Sequence, residues 1–287
     1  MNNALQITGL SKSFPGFSIK DISLELPEGY IMGFIGPNGA GKTTVIKIIL
    51  NMMKKDSGKI KVFGLDHIGN EEEIKENLGV VLEQPYLLDQ WTIKELENTV
   101  KPFYKTWNML KYRQYLKEFS LHEDLRIRNL SKGMKLKLMI AVALSHDARL
   151  LILDEPTSGL DAVSRDELLD ILRNYIVDGD KSILLSSHIT SDLEKAADYI
   201  TFIYRGEMVY TGTKDGLLES YCMVKGDRKD ITPEQRAGII GYSEYPNGFE
   251  GLLPVGEVKD LSRNIVTDTV TLDDIILFTD RGRRGVY

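Results

Sequence analysis

The sequence predicts an α/β fold: a parallel sheet buried between helices, followed by a small α+β appendage. Three observations predict it. Short apolar runs (Ile31, Met32, Phe34 and Ile35; Leu150-Leu151-Ile152-Leu153; Ile183-Leu184-Leu185) read as strands buried on both faces, as parallel strands are. Helical patterns lie between and around them, at 136–144, 163–178 and 193–199. Near residue 219 the composition shifts: 226–262 is rich in Gly, Pro and charge, and the last long helical pattern is 272–278. The expected division is therefore 1–218 and 219–287.

The flanking elements follow from turn residues and periodicity. Leu5, Ile7 and Leu10 begin a strand that Phe14-Pro15-Gly16 breaks, and Ile19, Ile22, Leu24 and Leu26 form another, ended by Pro27-Glu28-Gly29. The turn Asp56-Ser57-Gly58 leads into a strand at 59–63, a charged helix starts at Glu71, and Val80-Val81-Leu82 is a short apolar strand. From 92 to 121 the pattern is helical: Thr92 and Glu95 have capping-box spacing, and Leu96, Val100, Phe103, Leu110, Tyr115 and Phe119 recur mostly at helical intervals. This insert ends at Asn129-Leu130-Ser131-Lys132-Gly133.

Composition excludes several classes. Of 287 residues, 42% are hydrophobic and 27% charged, which describes an ordinary globular protein. A net charge of −6 argues against a nucleic-acid partner. Cys222 is the only cysteine, so no intrachain disulfide forms and a reducing compartment fits. The opening MNNALQITGL lacks a signal-peptide layout, and no window approaches the roughly 18 apolar residues that span a bilayer. Membrane crossing would require another chain.

The stretch Gly36-Pro37-Asn38-Gly39-Ala40-Gly41-Lys42-Thr43-Thr44 carries the chemistry. It stands between an apolar strand and a helix, the context in which a Walker A pattern is a phosphate site rather than a glycine turn. Glycines let the backbone curl so that several N–H groups face one anion, and the helix start and the Lys42 ammonium add positive charge. The Thr43 hydroxyl stands where it can ligate magnesium. A bound nucleoside triphosphate follows. Asp154-Glu155 directly follows the run 150–153, at the carboxyl end of a strand, where open α/β sheets form ligand sites. There Asp154 would hold magnesium, a cation that takes hard oxygen ligands, and Glu155 would polarise the attacking water.

The neighbouring motifs extend this. Pro156-Thr157-Ser158-Gly159-Leu160-Asp161 follows; Leu130-Ser131-Lys132-Gly133-Met134 places Ser131 23 residues before Asp154; His188 stands 33 residues after Glu155. In order and spacing these resemble the ABC ATPase family over about 4–218. The resemblance implies a P-loop NTPase core of RecA-like α/β type, an antiparallel β subdomain, and a helical subdomain at about 86–140. It implies ATP with Mg2+, Phe14 stacked on adenine, and His188 at the γ-phosphate and attacking water. It further implies that Ser131 and Gly133 bind the γ-phosphate held by a second ATPase subunit, with Asp161 acting across that interface. Homodimer and heterodimer both fit.

Two motifs depart from the family pattern. Where it has a glutamine after the strand 80–82, counting places Glu83, with Gln84 next. Glu83 is then a magnesium ligand or water orienter, unless a local shift presents Gln84. Lys132 and Met134 replace a usual glycine and glutamine of the signature. Lys132 adds charge near a partner's ATP or is simply solvated. The leading expectation is the ATPase subunit of a bacterial ABC exporter of peptides or drugs, at the cytoplasmic face of the membrane beside a separate permease. The short helical insert, the signature variant and the tail from Thr271 to Phe278 resemble the antimicrobial-peptide, lantibiotic and phenol-soluble-modulin group. The alternative is a non-transport ABC ATPase, ribosome-associated or of DNA-repair type. The former usually carries two cassettes, where this sequence shows one; the latter carries a long coiled coil, where Asp154 stands only 112 residues after Lys42 with no sustained heptads. The tail cations Arg281, Arg283 and Arg284 either meet anionic lipid or form a frayed, solvated end.

Overall fold

Two long strands, β1 (Asn3–Phe14) and β2 (Phe17–Pro27), form the hairpin that the Pro15-Gly16 break demands, with Phe14 paired across the turn with Phe17. The computed structural model describes residues 2–84, 87–262 and 264–283. Next come β3 (Ile31–Ile35), α1 (Lys42–Ile49), β4 (Ser57–Val62), β5 (Leu65–Asp66), α2 (Glu71–Glu76) and β6 (Leu78–Val81). The helical region holds α3 (Ile93–Val100), α4 (Met109–Glu118) and α5 (Lys132–Leu144); its expected start near 86 lies outside the described residues. The chain continues through β7 (Leu150–Asp154), α6 (Ala162–Tyr175), β8 (Ser182–Ser186), α7 (Thr190–Ala196), β9 (Tyr199–Tyr204), β10 (Glu207–Thr213) and α8 (Lys214–Glu219).

These strands make one ten-stranded sheet in the order β5-β4-β1-β2-β10-β9-β3-β8-β7-β6. The half from β9 to β6 is parallel, and every residue of β3, β7 and β8 is buried, as the unalternating apolar runs predict. The half containing β1, β2, β4 and β5 is antiparallel. Because β3, β8 and β7 are adjacent and parallel, their carboxyl ends emerge side by side. That brings the glycine loop after β3, Asp154 at the end of β7 and the segment after β8 to one edge.

Two expectations are corrected here. The helix expected over 193–199 ends at Ala196, and Tyr199 already begins β9, whose run 200–204 is fully buried. Over 92–121 the capping box is present, Thr92 accepting from Glu95 N, but the helix breaks at Pro102 in a short 3-10 turn and restarts at Asn108, which caps α4. Proline lacks the N–H that an interior turn needs. Phe103 and Leu110 therefore leave the apolar face and stand 74% and 80% exposed.

The remaining chain forms β11 (Tyr221–Gly226), α9 (Pro233–Gly238), β12 (Ile240–Tyr245), β13 (Gly248–Pro254), β14 (Val266–Asp268) and α10 (Leu272–Arg283). Its sheet runs β12-β13-β11-β14. Leu272, Ile275 and Phe278 of α10 join the same apolar core as the parallel sheet. At one end of α10, Leu272 N donates to Glu194 Oε1 (2.6 Å) and Thr190 Oγ1 to Asp273 Oδ1 (3.5 Å), both on α7. At the other, the Tyr204 hydroxyl donates to Asp280 Oδ1 (2.9 Å). Arg281 and Arg283 are thus part of a helix, not a frayed end; Arg284 lies outside the described residues.

Candidate active site

The glycine loop is held by what surrounds it. Gly36 has φ 153°, and a Cβ there would lie 2.2 Å from the Ile203 carbonyl oxygen; at Gly41 (φ 110°) it would lie 2.3 Å from Ile19 Cδ1. Only glycine lets the backbone pass this close. Gly41 caps α1 without a side chain, and no carboxylate stands in the first turn, so the helix start is open to an anion. Lys42, 6% exposed, donates from Nζ to the Gly36 carbonyl (2.6 Å) and lies 3.8 Å from Glu155 Oε1. Burial pulls its pKa below the ordinary lysine value, against the opposing pull of Glu155, Asp154 and Glu83.

Opposite the loop stand two buried carboxylates. Asp154 Oδ2 accepts from Thr43 Oγ1 (2.9 Å) and its Oδ1 from Ser186 Oγ (2.6 Å). Glu155 adopts left-handed backbone (φ 54°), a conformation that costs on the order of 1–3 kcal/mol in a non-glycine residue. The Glu155 N–H donates to Ser186 O (3.1 Å) in this geometry. The carboxylate meets His188 twice: Oε2 lies 2.6 Å from Nδ1 and accepts from the backbone N–H (3.2 Å). Glu155 is thereby held between Lys42 and His188, beside the loop where a terminal phosphate would lie.

A cleft of about 530 Å3 joins these groups, lined by Asn38 to Thr44, Glu83, Glu155 and His188. Its aromatic wall is Phe17, which the sequence reading did not select. Phe14 stacks on Phe17 with ring centroids 6.3 Å apart, and does not itself line the cleft. Ser186 was also missed; its register opposite Asp154 makes it the second hydroxyl on that carboxylate. The signal lay in Ser186-Ser187 closing an apolar strand two residues before His188.

A smaller adjoining cavity of about 150 Å3 is bounded by Thr43, Lys47, Glu83, Gln84 and Asp154. The Thr43 hydroxyl and the Asp154 and Glu83 carboxylates are hard oxygen donors, which fit magnesium, an ion usually held by one or two carboxylates together with substrate phosphates. Glu83→Gln tests the residue's part: magnesium affinity in the presence of nucleotide is expected to fall by about tenfold, in the range of a lost charged ligand partner. Unchanged magnesium titration and turnover would leave the carboxylate without a special role.

The other expected site residues stand apart. Ser131 caps α5, accepting from Met134 N (3.2 Å), and Asp161 caps α6, accepting from Val163 N and Ser164 N; both are exposed and outside the cleft, and half-buried Gly133 lies outside it too. A Cβ at Gly133 would lie 3.3 Å from Leu160, so the signature turn packs on the turn before Asp161. Lys132 is exposed, runs its methylenes over Gly159 and points Nζ at Ser158 Oγ (3.4 Å).

A buried lysine in a glycine loop, facing a strand-end aspartate and a glutamate–histidine pair, defines a P-loop nucleoside triphosphatase. Comparison with known proteins narrows the class. Residues 19–158 match the family model described as ABC transporter. The chain is 30% identical to the ABC transporter ATP-binding protein YtrB of Bacillus subtilis, over 77% of this chain and 76% of that one. It is 32% identical to the lantibiotic transport ATP-binding protein SrtF of Streptococcus pyogenes, over 74% of this chain and 92% of that one. A solved structure of an ATP-binding subunit of an ABC transporter superposes with TM-score 0.69 at 29% identity, covering 75% of this chain and 91% of the other. The chain belongs to the ABC transporter ATP-binding family, and is an ATPase that binds and hydrolyses ATP.

Proposed function

We propose that this chain powers export of a peptide or drug through a separate membrane permease, by ATP-driven closure of two ATPase subunits at the cytoplasmic face of the cell membrane. The observation that carries this is the split of the site. Lys42, Glu155 and His188 converge in one cleft, whereas exposed Ser131 and Asp161 and half-buried Gly133 stand outside it. Phosphoryl transfer depends on positioning and on donors around the γ-phosphate. In one chain the loop N–H groups and Lys42 face the phosphates, Glu155 orients the attacking water and accepts its proton, and His188 holds Glu155. Magnesium, held by Thr43, Asp154 and Glu83, would neutralise phosphate charge. The Ser131 hydroxyl and Gly133 N–H of a second subunit would close the opposite face, so hydrolysis follows association. Phe17, with Phe14 behind it, offers the surface for adenine.

No helix among the described residues is long and apolar enough to cross a membrane, so transport calls for a permease. Phe103 and Leu110, exposed on the helical region, are side chains such a partner can cover. Export is supported by resemblance to the relative named for lantibiotic transport. The test is purification of the tagged chain from detergent-solubilised native membranes. An integral membrane protein is expected to accompany it in fixed ratio with ATPase activity. Recovery with ribosomes or DNA, and without a membrane chain, would overturn the proposal in favour of a non-transport ATPase.

A further inference from the structure

A second cleft, apart from the ATP site, lies in the C-terminal part of the chain. A cavity of about 680 Å3 opens between α9, β12 and the last turns of α10, within the size range of small-molecule sites. Arg236, Arg281 and Arg283 line it, with Tyr221, Tyr242 and the buried Thr279. No carboxylate is among the described residues lining it, although the chain as a whole carries net charge −6.

The three guanidinium groups are braced on aromatic faces. Arg236 lies 4.3 Å from the Tyr242 ring centroid, Arg281 4.9 Å from Phe278 and Arg283 5.5 Å from Tyr204. Stacking fixes the plane of a guanidinium while leaving its edge N–H donors free to turn toward an acceptor. Two of the three also meet carboxylates outside the cleft: Arg236 pairs with Glu244 (2.9 Å) and Arg281 approaches Glu250 (3.7 Å). Each pairing uses only part of a five-donor fork. The result is a set of oriented cations around a cavity with apolar and aromatic walls.

We propose that this cleft binds a phosphate ester, its phosphate held by Arg236, Arg281 and Arg283 and its organic part seated against Tyr221 and Tyr242. Phosphate is favoured because planar guanidinium forks match its oxygens in bidentate fashion, and three arginines lining one cavity suit a dianion. The ester comes either from a soluble metabolite or from a lipid headgroup. Thr279, buried one helical turn before Arg283, supplies a hydroxyl. The floor of the site is α10, whose Asp273 and Asp280 touch α7 and Tyr204, so a ligand here sits one helix away from both the His188 segment and the strand end behind the glycine loop.

The test uses the full chain saturated with Mg-ADP, so that the glycine loop cannot take the probe. Phenyl phosphate is titrated by calorimetry, and phosphatidylglycerol vesicles are tested in parallel by co-sedimentation. Two variants are compared: the triple change Arg236→Gln, Arg281→Gln, Arg283→Gln, and Ala237→Trp, which fills the cleft without touching a charge. Phenyl phosphate is expected to bind with a Kd below about 1 mM, and both variants to weaken it by at least about tenfold with ADP affinity unchanged. Binding of vesicles instead, lost in both variants, assigns the phosphate to a lipid headgroup. Binding of neither probe, or binding that survives either variant, overturns the site.

Discussion

Glu155→Gln is expected to lower ATP hydrolysis by about 10²-fold or more, the range seen when a catalytic general base is lost, while ATP still binds. Glutamine keeps the size and removes both the proton acceptor and the charge that stands 3.8 Å from Lys42 and 2.6 Å from the His188 ring. Substrate would remain in place between Lys42 and the loop amides, so the variant should accumulate as an ATP-bound dimer. Single-turnover phosphate release and size-exclusion chromatography with ATP read the two effects separately. Normal turnover in this variant would return Glu155 to a structural role.

The second large effect concerns His146, which has no part in the cleft. Its ring is 1% exposed, stacks on Tyr104 at 3.8 Å between centroids, and neither ring nitrogen has a hydrogen-bond partner. Burial pushes its pKa down from 6.5 to about 4. Between these values the unfolded chain binds a proton here and the folded chain does not, so folding stability contributed by the neutral ring is complete above pH 6.5 and is lost as pH falls through that window. By pH 5 the loss from this one group is roughly 2 kcal/mol. His146→Phe keeps the stacked ring and removes the titration. Urea unfolding at pH 7.5 and pH 5 should show the variant gaining on the wild type by that amount as the pH drops. An equal stability difference at both pH values would mean that the ring is protonated, or solvated, in the fold.

What the sequence revealed, and what it hid, follows from which interactions are local. The loop 36–44, Asp154-Glu155 and His188 were legible because their chemistry is written in consecutive residues beside buried strands that alternate with helices. The capping box at Thr92 and Glu95 was equally local. Phe17 was not legible, because which of two aromatics faces the cleft depends on the hairpin pairing of β1 with β2. Ser186 reaches Asp154 only through the parallel register of β7 and β8. Phe103 and Leu110 kept helical spacing across a break at Pro102, so periodicity alone placed them in a core that they do not enter. The end of α7 was obscured because Ala196 and Ala197 suit a helix, while the buried run after Tyr199 is claimed by the sheet.

The three apolar side chains that α10 lends to the main core, and its hydrogen bonds at both ends, bear on how such a protein can change over generations. Because α10 is packed into the ATPase core, tail and cassette are expected to be inherited together rather than shuffled as independent modules. A tail exchanged for that of a relative would need matching changes at Thr190 and Tyr204, which meet the side chains of Asp273 and Asp280, and inheritance of the tail should track those two positions more closely than it tracks the nucleotide loop.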